Sequence, residues 1–349
     1  MNEQGARGKR QHGPWRTVLG QGVAVVLLAV LGLPTLGPAL AQDLTTVSYG
    51  EIPAISNIGL YAGLEKGYFR EEGLDVRMHQ FASGAKMIAP LAAGEIGVAG
   101  GGSSAALFNS IASGMDFWIV ADKGQVRPGF GGGDLLVVRK DLLPVFQREG
   151  LRALKGRTVG MYAKGSINDY GLARMLESVG LSLADVKDVY IAPPNHPQAF
   201  LTKAIDAGLE AEPWGTRAES AGAGVKFLRA YEVDSLRTVQ IAVIMYAGRF
   251  IREQPKAARG FMKAYVRGIR YNHAQGYKHP EMLAVLSKYT KVPPQVIAGS
   301  ELFYLDGDAR PNVESLADQQ EWFLKQGFAK QRVPMDRVLN LSFLEGAKP

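Results

Sequence analysis

From Thr45 onward the chain alternates short runs rich in β-branched and aromatic residues with stretches whose apolar positions recur at helical spacing. Thr46 to Tyr49, Leu74 to Met78 and Ile96 to Ala99 read as strands. Ile58 to Lys66, Lys86 to Ala93 and Ala105 to Ser113 read as helices, with further strands expected at Phe117 to Ala121 and Leu135 to Val138. Such alternation predicts βαβ units and a mostly parallel sheet.

A second block opens at Leu154-Lys155-Gly156-Arg157. Its expected order is strand Thr158 to Met161, helix Ile167 to Val179, strand Val186 to Ile191, helix Gln198 to Ala204, a short strand near Gly208 to Ala211, helix Trp214 to Ala221 and strand Val225 to Leu228. Leu91 to Gly100 and Leu201 to Leu209 resemble each other, each a helix end turning tightly into a strand, as two related halves would leave behind. After the strand-like run Thr238 to Tyr246 come helical stretches only: Pro255 to Gln275, Glu281 to Tyr289, Pro294 to Ser300 and Val313 to Gly327. The economical topology puts residues 42–138 and 240–349 in one α/β lobe and 139–239 in another. Crossings near Val138 and Val239 would then form a hinge, with a cleft between the lobes.

The first 41 residues do not fit this pattern. Arg7, Lys9, Arg10 and Arg16 precede an uncharged apolar run from Val18 to Leu33, followed by Pro34, Pro38 and Ala39-Leu40-Ala41. That is the layout of a secretory signal, with cleavage expected after Ala41. The run is shorter than the ~20 residues that span a bilayer, which argues against a permanent anchor. Adjacent arginines are missing, so ordinary Sec export is expected, and delivery to the periplasm.

Composition then removes several chemistries. The chain has no cysteine, so it offers no lipid-accepting thiol, disulfide or thiolate ligand. The leading segment carries +3 of the formal +7. Elsewhere basic and acidic residues alternate, which reads as a solvated surface and not as a nucleic-acid face. The five histidines are scattered without zinc spacing, and no nucleophile elbow appears. No cofactor is expected.

The run Gly59-Leu60-Tyr61-Ala62-Gly63-Leu64-Glu65-Lys66-Gly67-Tyr68-Phe69-Arg70-Glu71-Glu72-Gly73-Leu74-Asp75-Val76 resembles the helix-to-strand signature of periplasmic substrate-binding proteins of ABC transporters for nitrate, sulfonate, taurine and thiamine-precursor pyrimidines. Ala204-Ile205-Asp206-Ala207-Gly208, leading to Glu212-Pro213-Trp214, looks like the second-lobe signature of the same family. The likeness spans roughly Val47 to Asn272. It implies a type II periplasmic binding fold of two doubly wound α/β lobes, capture of a small molecule by lobe closure, and delivery to a membrane permease driven by a cytoplasmic ATPase. A monomer without catalysis is expected. The cysteine-rich motif of the family's pyrimidine-forming branch is missing.

Candidate ligand contacts lie at helix starts and strand ends. Gly102, Ser103 and Ser104 precede the helix at Ala105, where backbone N–H groups and hydroxyls can hold an anion; helix capping is the competing role. Gly165, Ser166 and Asn168 open a helix in the second lobe, and the Ser166/Asp169 spacing fits a capping box in which Asp169 faces its own backbone. Ser56 and Asn57 follow the first strand. Asp122 and Lys123 end the strand from Phe117, with Lys123 the cation best credited with ligand pairing. Glu212 and Trp214 end a second-lobe strand, Trp214 as a wall for a flat ligand. The expected cargo is a small organic anion: a sulfonate, taurine, nitrate-like, pyrimidine or aromatic carboxylate molecule. An exported enzyme or a sensor module is the alternative.

Overall fold

A computed structural model describes residues 43–347, so the expected export signal lies outside the described residues. Among the described residues, ten strands form two five-stranded sheets. The first contains β1 (Thr45–Glu51), β2 (Leu74–Gln80), β3 (Val98–Gly102), β4 (Phe117–Val126) and β10 (Val239–Ala247), in the order β2-β1-β3-β10-β4. The second contains β5 (Leu135–Arg139), β6 (Thr158–Met161), β7 (Lys187–Tyr190), β8 (Ala207–Glu210) and β9 (Gly224–Leu228), in the order β7-β6-β8-β5-β9.

The two orders are the same pattern. In each sheet three strands run parallel, and the fourth position is taken by an antiparallel strand, β10 in one and β5 in the other. The two similar corners seen in the sequence lead into β3 and β8, which hold equivalent places. Each turns through a left-handed residue, Gly94 in one and Lys203 in the other. The strand Leu135–Arg139 pairs with β8 and β9. The chain therefore leaves the first sheet between Val126 and Leu135, earlier than the expected crossing near Val138. The chain re-enters the first sheet at β10.

The signature run folds as its residues dictate. The helix Ile58–Glu65 ends, Gly67 turns at φ 75°, the short helix Tyr68–Glu71 follows, and Gly73 at φ 75° releases the chain into β2. Phe69 is buried against Phe261, with ring centroids 5.0 Å apart. The long helix Pro255–Gln275 lies over the first helix so closely that a side-chain carbon at Gly268 would strike the Gly59 carbonyl. The central strands β3, β5, β8 and β10 are buried almost throughout, which is why they read as apolar runs.

Two expectations about strand ends need correction. The strand expected to end at Ala99 runs on to Gly102, so Gly102 belongs to β3 and not to a loop after it. Asp122 and Lys123 lie inside β4, which continues to Val126.

Candidate functional site

A cavity of about 50 Å³ sits between the carboxyl-terminal edges of the two sheets. By the same measure a water needs ~10–15 Å³, so the space suits a head group with a short carbon chain. The first-sheet side supplies Ser56, Gly102, Ser103, Lys123 and Ile241, and the start of the helix Gly84–Ala93 adds Ser83 and Gly84. Asp134, Tyr162, Ser166 and Asn168 come from the second-sheet side, and Phe303 closes the wall.

Lys123 reaches the cavity because of a defect in its strand. Successive β10 residues Ala242 and Val243 pair with Gly124 and Asp122, so Lys123 is left out of the ladder. Ile241 is skipped in the same way on β10, between the pairs made by Gln240 and Ala242. Bulges re-aim side chains, and here both displaced residues line the cavity. Lys123 donates to Ser56 Oγ at 3.0 Å. Burial pushes its ammonium down to about 8, while Glu51 and Asp122 oppose that loss of charge. It remains a cation at neutral pH, with two of its three donors left over for a ligand.

Six expected contact residues line the cavity: Ser56, Gly102, Ser103, Lys123, Ser166 and Asn168. The other six are placed around it in supporting positions. The Asn57 amide donates to Glu51 Oε2 at 3.2 Å and to the Ile52 carbonyl at 2.8 Å. Ser104 accepts from Leu107 N–H at 3.3 Å, a helix cap. Asp122 accepts from the N–H groups of Gly124 and Asp306 at 2.9 Å each and from Gln240 at 2.7 Å, with burial pushing it up to about 6 against those bonds. Gly165 takes φ 68° and donates its N–H to Asp169. Glu212 accepts from Thr216 N–H at 2.9 Å and from Glu301 N–H at 3.2 Å. Trp214 is buried, donating its indole N–H to the Pro53 carbonyl at 2.9 Å, so it tacks two segments together and offers no ring to the cavity.

The two helix starts are cross-linked. Ala105 N–H donates to the Gly165 carbonyl at 2.8 Å and Ile167 N–H to the Ser103 carbonyl at 3.1 Å, making an antiparallel bridge between Ser104 and Ser166. Ile55 N–H also donates to the Glu212 carbonyl at 3.0 Å. Segments from both sheets thus meet over the cavity.

The expectation for Asp169 holds: it accepts from the N–H groups of Gly165 and Ser166, the latter at 3.3 Å. That spares the Ser166 hydroxyl, which has no hydrogen-bond partner, as does Asn168 Oδ1. Asn168 Nδ2 donates at 2.7 Å to Asp134, a fully buried carboxyl that burial pushes up to about 7 despite this bond, with the Asp169 charge adding to the shift.

Sequence reasoning missed Asp134, Tyr162, Ser83, Gly84, Phe303 and Ile241. Three of these had a signal. Asp134 follows Gly131-Gly132-Gly133 at the entry to a strand, and Tyr162 and Ser83 stand just beyond β6 and β2, at the carboxyl edges where such folds bind ligands. Phe303 lies in a coil segment without any motif.

A duplicated sheet with one antiparallel strand in each half, with a cavity between carboxyl edges, is the type II periplasmic binding fold. The model of the NMT1-like family matches residues 41–287, and the chain belongs to that family. Among solved structures, the periplasmic nitrate-binding protein NrtA from Synechocystis PCC 6803 superposes with a TM-score of 0.71 at 18% identity, covering 87% of this chain and 88% of that one. The alkanesulfonate-binding protein SsuA from Xanthomonas axonopodis pv. citri, solved with MOPS bound, gives 0.66 at 19%, covering 86% and 99%. The desulfurization enzyme DSZB shares the fold at 0.58 and 16%, covering 86% and 98%. No curated protein matches the chain in sequence.

Among the described residues no helix is long and apolar enough to cross a membrane, and no group of three or more acidic or histidine side chains could hold a metal ion.

Proposed function

We propose that the protein is the solute-capturing component of an ABC importer, exported to the periplasm, which closes two lobes around a small organic anion and presents the closed form to its permease. The observation that carries this reading is Lys123, buried and bulged into a small cavity beside Ser56 and the first turn of the helix Gly84–Ala93. A buried ammonium and a helix start favour one charge sign, and the cavity is too small for a polymer or a peptide. The lobes would be residues 43–126 with 239–347 against residues 135–228, hinged at the two crossings between sheets. The helix Val313–Lys325 reaches from the first to the second, where Asp318 accepts from Tyr170 at 2.5 Å and pairs with Arg174 at 3.1 Å.

Thermal unfolding of the monomeric, ligand-free protein against sulfonates, nitrate, carboxylates and pyrimidines tests the reading. Saturation at about 1,000 times Kd adds ~4 kcal/mol to the folded state, several degrees of midpoint for a chain of this size. A shift with one class supports the reading and names the cargo. No shift with any class, in a protein that unfolds cooperatively, counts against it.

A second reading has one contact in its favour. A serine hydroxyl bonded to a lysine of lowered pKa, as Ser56 is to Lys123, also occurs in hydrolases that use a Ser-Lys pair, and DSZB shows that the fold can carry an enzyme. Turnover of an activated ester that is lost in Ser56→Ala would favour an exported enzyme. Stoichiometric binding without turnover favours capture.

A further inference from the structure

We infer that Phe303, its ring packed into a slot of three glycines, sets the largest ligand that the cavity admits. The inference rests on the reading of the cavity as an anion-capture site and adds a size rule to it.

Phe303 lies in coil, yet the backbone is pinned on both sides of it. Leu302 accepts from Gly132 N–H at 2.9 Å, and Tyr304 exchanges two backbone bonds with Gln125 of β4, at 2.8 and 3.1 Å. Just before, the same segment is bonded to residues of the second-sheet side. Glu301 pairs with Arg229 at 2.6 Å and gives its N–H to Glu212 at 3.2 Å, and Lys226 donates to the Gly299 carbonyl at 3.0 Å. Residues 299–304 therefore tie the two sheets together, and Phe303 sits where the tie passes from one to the other.

The ring is hemmed in by glycines. A side-chain carbon at Gly124 would stand 2.9 Å from its Cδ1, one at Gly132 2.8 Å from its Cδ2 and one at Gly133 2.9 Å from its Cε1. All three are closer than carbon atoms pack. Of these glycines only Gly124, at φ 147°, has a backbone that itself favours glycine. At Gly132 and Gly133 it is the packing of residues 301–303 and Ile241 that leaves no room for a side chain. The ring cannot retreat on those sides, and it forms part of the cavity wall with Ile241. A carbon at Gly124 would also lie 3.1 Å from Ser56 Cβ, which puts the ring beside the Lys123–Ser56 pair that receives the head group. A ligand anchored at that pair meets the ring directly. A wall residue limits the space even when it shows little surface, because the volume it vacates on truncation joins the cavity.

The test is calorimetric titration of the ligand-free protein with linear alkanesulfonates and linear carboxylates of increasing chain length, from one carbon upward. In the parent, affinity should rise about fourfold per methylene up to a limiting length and drop about tenfold or more beyond it. Phe303→Ala should move that limit up by about two carbons or more. Phe303→Leu, with a smaller move, serves if the alanine variant does not fold. Gly133→Ala should move the limit down, since it presses Phe303 and Ile241 inward. The limiting length is read within each variant, so a loss of stability does not imitate its movement. A limit at the same length in the parent and the variants, or no limit in the parent, overturns this inference and leaves the anion reading standing. Binding of no member by the folded parent overturns both.

Discussion

Two helix starts meet over the cavity, Ser103-Ser104 and Ser166-Ile167-Asn168, and they put similar residues to different uses. In the first, Ser104 caps its helix through Leu107 N–H and Ser103 donates its hydroxyl to Gln319, so both side chains are spent on the fold. In the second, an aspartate three residues into the helix does the capping, and the serine and asparagine oxygens are left for something else. The difference teaches that a Gly/Ser helix start is a binding loop only where another group has relieved it of capping.

The largest effect is expected at the charge that gives the first side its sign. Lys123→Met should weaken binding of a small anion by at least about a hundredfold, since a bonded charge pair inside a buried site is worth several kcal/mol. In the unmodified protein, anion affinity should fall as pH rises through about 8, where the Lys123 ammonium loses its proton. The variant should show no such fall. Titrations from pH 6 to pH 10 decide both points.

Asp134→Asn acts on the opposite side. Its folded pKa lies above the unfolded value, so the aspartate adds stability at pH below about 4 that is lost as pH rises through about 7. The asparagine variant should therefore melt several degrees higher than the parent at pH 8 and show a smaller gain at pH 5. A gain equal at both pH values would mean that the carboxyl is not the group responsible.

The capping contrast predicts a crossed pair of smaller effects. Ser104→Ala should cost about 1 kcal/mol of stability through its lost cap, whereas Ser166→Ala should change stability by less than about 0.5 kcal/mol and weaken ligand binding instead. Denaturant unfolding and calorimetry on both variants would show whether the roles separate. The smallest effect belongs to Asp318→Ala. This half-exposed partner of Arg174 and Tyr170 should loosen the closed form and weaken affinity only a few-fold, most visibly at low salt.

Much of the fold was readable because its signals are local. The helix-to-strand signature carries its own turn glycines at Gly67 and Gly73, and the buried strands announce themselves as apolar runs. The site was half readable for the same reason: Ser56, Ser103, Ser166 and Asn168 lie at helix starts beyond strand ends. What stayed hidden depends on partners far along the chain. Nothing local says that β4 bulges at Lys123, because the bulge exists only against β10. Trp214 looked like a wall for a ligand, yet its indole answers to a carbonyl at Pro53, and that pairing is visible only once the two sheets have met. Asp134 carried only the signal of its glycine run, because the strand it leads into, Leu135–Arg139, pairs with β8 and β9 of the second sheet.

The central claim is that this cavity captures a small anion through Lys123. Calorimetric titration of ligand-free protein and Lys123→Met with sulfonates, nitrate and short carboxylates at pH 7 tests it most directly. The account predicts saturable one-to-one binding of at least one of these by the parent protein and its loss in the variant. Binding that survives in Lys123→Met, or no binding by the folded parent, would contradict it.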